Sequence, residues 1–237
     1  MNPGTGDKLQ TETDYLGSGK LRFVRYYHSS VNAATGSVGI QWQHNYDGKI
    51  YSAGGTIARV MYANGKQIIY KLGSGGWFAD ADNDGNIDTD ITDKLAQVSG
   101  GWQLTTTDDT VESYDINGKL TVIKDRSGYT QTLSYNGLGQ LLSVTDTYNR
   151  SLAFAYDSSG NISTLTDPSG SQYIYGYDSI SNLASVTYPD GKKRTYNYNE
   201  SAYTAGTNLP HALTGITDEN NTRFATFNYD ATGRGIL

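Results

Sequence analysis

A chain of 237 residues with 28 glycines, 20 tyrosines, no cysteine and a formal net charge of −6 can form one large or two small domains with a buried core. The lack of cysteine excludes disulfides and thiol catalysis, and an acidic balance without a long basic run argues against a nucleic-acid surface. No run reaches the ~20 apolar residues of a membrane helix, which argues against membrane insertion, and the segment Met1 to Gly6 has no signal-peptide pattern, so export would draw on information outside this sequence.

The first half, residues 1–113, has a β-like texture without a fixed period. Trp42-Gln43-His44-Asn45-Tyr46-Asp47 reads as a strand running into a turn at Asp47-Gly48. Ile57 to Tyr62 and Gln67 to Leu72 flank Ala63-Asn64-Gly65-Lys66, and Asn-Gly between β-prone runs predicts a hairpin. The expected job of this region is to start a sheet and cover its first edge or end.

Asp80-Ala81-Asp82-Asn83-Asp84-Gly85-Asn86-Ile87-Asp88 matches the first nine positions of a calcium loop. Oxygen ligands alternate along it, and a glycine at the sixth position allows the sharp bend. Calcium ligation by Asp80, Asp82, Asp84 and Asp88 is one expectation. The twelfth position holds Ile91 instead of a bidentate glutamate, only Asp90 or Asp93 can substitute, and no helices flank the loop. An EF-hand is therefore excluded, leaving a looser calcium loop or a solvated acidic turn.

From Tyr114 onward a tyrosine returns every 21 residues, at Tyr114, Tyr135, Tyr156, Tyr177 and Tyr198, and a fixed period of this kind marks a repeat array. Most units open Tyr-Asp-x-x-Gly, as in Tyr114-Asp115-Ile116-Asn117-Gly118 and Tyr156-Asp157-Ser158-Ser159-Gly160. A second turn follows eleven residues after the tyrosine, as in Asp125-Arg126-Ser127-Gly128 and Asp167-Pro168-Ser169-Gly170. Asp first, Pro second and Gly last fit a type I turn, with the carboxylate accepting from the N–H two residues on. Each unit is thus strand, turn, strand, turn.

Leu152-Phe154-Tyr156 and Tyr173-Tyr175-Tyr177 alternate with a period of two. The other strand of each unit carries an apolar pair three residues apart (Leu120 with Ile123, Leu141 with Val144, Ile162 with Leu165, Leu183 with Val186), which predicts a bulge or strong twist. The unit opening at Tyr198 takes 31 residues to reach Tyr229 and so carries about ten extra around Ala202 to Pro210, either a binding loop or a tolerated insertion. A ladder of tyrosines can face inward as core or face a groove and stack on sugars, and core is favoured by its recurrence in every unit. His28, His44 and His211 lack partners at metal-ligand spacing, and no nucleophile elbow or phosphate loop is present.

The Tyr-Asp-x-x-Gly opening, the apolar pair, the Asp-Pro-x-Gly turn and the 21-residue period together resemble the YD repeats of the RHS family, which includes bacterial polymorphic toxins and animal teneurins. Glu12-Thr13-Asp14-Tyr15 and Phe23-Val24-Arg25-Tyr26-Tyr27-His28-Ser29 resemble the region that precedes the first repeat, with His28 where the family pattern has asparagine. The resemblance implies an all-β fold, an N-terminal starter region over 1–113 and YD-repeat hairpins over 114–237 winding into one spiralling antiparallel sheet, part of a hollow shell. It implies a non-catalytic scaffold that encloses or presents an effector in toxin delivery, at a secreted or cell-surface location. The expected partners are the remainder of a shell, an effector domain, or a second copy through sheet edges. The alternative is an extracellular module that binds a glycan or a protein. Family members share a self-cleaving Asp-Pro-x-Gly-Leu motif, but Ser171 replaces that leucine here and Asp167 to Gly170 sit in register as a repeat turn, so no protease role is expected.

Overall fold

The structure, a computed structural model, describes residues 6–29 and 36–236. Strands β1 (Leu9–Leu16), β2 (Arg22–His28) and β3 (Trp42–His44) form one sheet, and β4 (Lys49–Ala53), β5 (Ile57–Met61), β6 (Gln67–Gly73) and β7 (Gly76–Ala79) form a four-stranded meander. The antiparallel strands β8 (Lys94–Val98), β9 (Gly101–Thr105), β10 (Val111–Asp115), β11 (Leu120–Lys124), β12 (Thr130–Tyr135), β13 (Leu141–Asp146), β14 (Ser151–Tyr156), β15 (Ile162–Thr166), β16 (Gln172–Tyr177), β17 (Leu183–Thr187), β18 (Lys193–Tyr198), β19 (Leu213–Thr217) and β20 (Arg223–Thr226) belong to a 13-stranded sheet in chain order. A last hairpin pairs β21 (Asn228–Tyr229) with β22 (Gly235–Ile236). The only helical element among the described residues is a 3₁₀ turn, Ser201–Tyr203, and no helix is long and apolar enough to cross a membrane.

The chain divides into two compact units. One contains Met1–Asn45 with Leu152–Leu237 and the other Tyr46–Ser151, so each combines part of the starter region with part of the repeat array.

The predicted bulge occurs in every unit. Ser113 pairs with Val122 but Tyr114 pairs with Leu120, leaving Thr121 as an extra residue. The same slip leaves Leu142, Ser163, Ala184 and Thr214 unpaired. In a regular strand, residues three apart face opposite sides, and one inserted residue returns them to the same side. Leu141 with Val144, Ile162 with Leu165, Leu183 with Val186 and Leu213 with Ile216 are accordingly all buried.

The turns repeat as closely as the strands do. Gly160 N–H donates to the Asp157 carbonyl and Asp157 N–H to the Asn161 carbonyl, a type I turn closed by a residue in the left-handed region. Asp157 Oδ1 accepts from the N–H of Ser159 and from that of Asn161, both at 2.9 Å. Asp115, Asp178, Asp218 and Asp230 do the same. One carboxylate oxygen thus satisfies two loop donors, of which sequence reasoning anticipated only the nearer. The predicted Asn64-Gly65 hairpin forms with this same three-residue geometry, through Tyr62 N–H to the Lys66 carbonyl and Gly65 N–H to the Tyr62 carbonyl.

Candidate functional site

The ladder tyrosines sew one unit to the one before. Within the Tyr46–Ser151 unit, Tyr135 Oη donates to the Leu120 carbonyl at 2.6 Å. In the other unit Tyr177 reaches Ile162 (2.7 Å), Tyr198 reaches Leu183 (3.0 Å) and Tyr229 reaches Leu213 (2.8 Å). The accepting carbonyl always belongs to the residue just before the bulge. Strands β11 and β12 pair only between Val122↔Thr132 and Lys124↔Thr130, so Leu120 lies beyond the ladder and its carbonyl requires a side-chain donor. Burial pushes the Tyr177 and Tyr198 hydroxyls well above the usual phenol range. The first rung is different: Tyr114 Oη donates to Glu112 Oε2 at 2.5 Å, and burial raises the pKa of that carboxyl. Beyond this first rung, the hydroxyls of Tyr135, Tyr177, Tyr198 and Tyr229 point into the seams between repeats.

Tyr198 Oη also accepts from Trp42 Nε1 at 2.9 Å. Tyr198→Phe leaves both the Leu183 carbonyl and the Trp42 indole unpaired, and should cost about 2–4 kcal/mol in urea unfolding, against about 1–2 for Tyr177→Phe. Equal losses for the two variants would remove Trp42 from the seam.

In the unit that contains the chain termini, a buried ion pair joins the starter strands to the repeats. Arg25 and Asp14 are 0% and 8% exposed. Arg25 Nε and Nη2 donate to Asp14 Oδ2 and Oδ1 at 2.6 and 2.8 Å, and Nη2 also reaches Tyr196 Oη at 2.7 Å. Tyr175 Oη donates to Asp14 Oδ2 at 2.8 Å. The guanidinium lies 4.9 Å from the Trp42 ring centroid and 5.3 Å from that of Tyr196, within cation–π range. Burial, the largest single influence, acts to lower the Arg25 pKa, but the Asp14 carboxylate together with Tyr196 and Tyr175 outweighs it and raises the pKa well above its usual value, so Arg25 keeps its charge in the core. Nearby, Arg194 bridges Glu12 and Glu219. Sequence reasoning assigned no role to Asp14 or Arg25. Glu12 and Asp14 are both buried on β1, and nothing in the sequence marks either as a core position.

The acidic loop leaves β7 at Asp80. One carboxylate oxygen from each of Asp80, Asp82 and Asp88 lies within 4.8 Å of the others. Asp84 is not in that group and instead takes Asn86 through both oxygens, from the backbone N–H and from Nδ2, each at 2.8 Å. Asp80 is fully buried. Its Oδ2 pairs with Lys71 Nζ and accepts from Gly85 N–H, while its Oδ1 has no hydrogen-bond partner. The Lys71 ammonium holds the Asp80 carboxyl below the usual carboxylate range.

The long interruption after Tyr198 is folded. Leu209 N–H donates to Asn199 Oδ1 at 2.7 Å, Asn182 Nδ2 to the Pro210 carbonyl at 2.9 Å, and Tyr27 Oη to the His211 carbonyl at 2.8 Å. Tyr198 pairs with Leu213, fifteen residues on, where Tyr177 pairs with Leu183, six on. One further residue, Phe224, bulges from β20 between Arg223 and Ala225. The histidines have local partners: Asp7 for His28, Ser37 for His44 and Asn182 for His211. Asp167 Oδ1 is engaged within its turn by Ser169 and Ser171.

A tandem array of bulged hairpins, with Tyr135, Tyr177, Tyr198 and Tyr229 each tying its hairpin to the one before through the hydroxyl, defines a β-repeat fold. A family model described as Teneurin YD-shell matches residues 82–205, and a second, described as a domain of unknown function (DUF6531), matches residues 1–70. The first takes in just over half of the sequence, and the chain belongs to the Teneurin YD-shell family. A search of curated proteins gave no match. Among solved structures the chain is similar to the crystal structure of TcdB2-TccC3 (14% identity over 94% of this chain and 15% of that chain, TM-score 0.36). It is also similar to TcdB2-TccC3 without its hypervariable C-terminal region (15% identity, 98% and 14%, TM-score 0.36) and to the Tc holotoxin pore of Photorhabdus luminescens (13% identity, 94% and 14%, TM-score 0.35). The chain therefore spans about one seventh of the length of these proteins.

Proposed function

We propose that the chain is a non-catalytic scaffold, a segment of a YD-repeat shell that encloses or presents an effector during toxin delivery outside the producing cell. The observation that carries this reading is how the repeat uses its signature residues. Tyrosine, aspartate and glycine of the motif are committed to the seam, the loop donors and the left-handed turn position, all of which serve the continuation of the sheet. Membership of the Teneurin YD-shell family supports the same role. The partners of such a segment are further shell units and the effector they surround.

Joining to further units requires an edge that accepts a strand. In the Tyr46–Ser151 unit, β8 pairs through five residues with β9 without a bulge, and Val98 on it is 40% exposed. A regular edge of this kind is a template for another strand, and a charge on it blunts pairing. Light scattering over a concentration series should show association of the unmodified chain, and Val98→Lys should move its midpoint at least about tenfold higher. A monomer at every concentration would sink the shell-joining role.

A further inference from the structure

We propose that Asp80, Asp82 and Asp88 bind a calcium ion, with the Lys71 ammonium acting as the internal cation that calcium displaces. The ligand atoms suit a hard cation, since all three residues offer carboxylate oxygens. Their mutual spread of at most 4.8 Å is what one ion can span when each oxygen sits about 2.4 Å from it. Convergent acids alone are common on protein surfaces. What distinguishes this group is Asp80, which has no solvent exposure and an Oδ1 that is buried without a donor. A carboxylate oxygen deprived of both water and hydrogen bonds calls for a cation. Lys71 meets only half of that demand, because its ammonium pairs with Oδ2, the oxygen that Gly85 N–H also reaches.

The structure trims the ligand set expected from the sequence. Asp84 is held by Asn86, and Ile91 stands where a calcium loop has its bidentate glutamate. Three carboxylates, with water or loop carbonyls completing the shell, place the affinity in the weak range of extracellular modules, about 0.1–1 mM. The site closes the connection between the meander and the repeat strands of the same unit. Asp88 N–H donates to the Ala79 carbonyl at the end of β7, and Ile91 N–H to the Asp88 carbonyl on the way to β8. An ion across Asp80 and Asp88 would cross-link the two ends of this connection.

Calorimetric titration of the chelator-stripped full chain with calcium chloride tests the proposal, with magnesium chloride as a parallel arm. One saturable site in the stated range is expected. Asp82→Asn combined with Asp88→Asn should abolish it, and both positions are far enough from the core to leave the circular dichroism spectrum in chelator unchanged. Lys71→Met should tighten binding about tenfold by removing the competing charge. Three outcomes would overturn the site: no saturable heat from either the unmodified chain or Lys71→Met, heat that survives the double substitution, or magnesium binding as tightly as calcium.

Discussion

Asp14→Ala is expected to cost about 3–5 kcal/mol in urea unfolding, because it leaves the Arg25 guanidinium charged and buried without its carboxylate. Asp14 accepts from Arg25 twice and from Tyr175 once, so alanine removes three hydrogen bonds together. The remaining cluster has little to offer in exchange. Tyr196 Oη already contacts Nη2, and Nη1 has no partner to begin with. Replacing the pair together, as Asp14→Leu with Arg25→Met, removes the stranded charge and should recover most of the loss. The shortfall would be about 1–3 kcal/mol for each tyrosine hydroxyl left unpaired. Because the pair is out of contact with solvent, raising the salt concentration should leave the cost of Asp14→Ala nearly unchanged. A loss below about 1 kcal/mol, the range of exposed pairs, would mean that water reaches Arg25.

The second large effect is expected at a turn glycine. Gly118 and Gly128 both have left-handed backbones, with φ of +73° and +90°, and both close repeat turns. A Cβ on Gly128 meets nothing within 4 Å, whereas on Gly118 it would lie 1.7 Å from the Ile50 carbonyl oxygen and 2.7 Å from its carbon. Strand β4 runs against the first YD turn there, with Ile50 N–H donating to the Gly118 carbonyl at 2.8 Å. Gly128→Ala therefore costs only the conformational term, about 1–2 kcal/mol. Gly118→Ala must also push two backbones apart and should cost about 3 kcal/mol or more, at the upper end for single substitutions. Thermal unfolding of the two variants side by side measures the difference. Equal midpoints would mean that β4 does not press on the turn.

Much of the repeat array was readable because its causes are local. The 21-residue spacing fixes the unit, Asp-x-x-Gly fixes the turn, and the three-residue interval between Leu141 and Val144 reveals a bulge, since only an extra residue can bring both to one face. The buried ion pair was not readable because it depends on an irregularity with no sequence signal. Thr13 pairs with Val24 and Tyr15 with Phe23, so Asp14 is itself the inserted residue on β1. Nothing in Glu12-Thr13-Asp14-Tyr15 marks it as such. The contact of Ile50 with Gly118 joins residues far apart in the chain, and local pattern carries no information about such a meeting. At the acidic loop the spacing indicated four carboxylates. The structure brings Asp80, Asp82 and Asp88 together and leaves Asp84 on the Asn86 side chain and N–H.

The tyrosine seam also bears on how such a chain can change over evolutionary time. The Tyr135, Tyr177, Tyr198 and Tyr229 hydroxyls each donate only to the preceding repeat, so this bonding scheme contains no count of how many repeats exist. Duplication or loss of a whole 21-residue segment by unequal recombination keeps every hydroxyl opposite a carbonyl, whereas a slip of a few residues inside a strand would strand both. The additional residues after Tyr198 obey that restriction, sitting in a turn and in a bulge while Tyr198 still faces Leu213 and Tyr229 still reaches the Leu213 carbonyl. Length is thus open to selection, and the array can gain or lose whole 21-residue steps without redesign of the contacts within a hairpin.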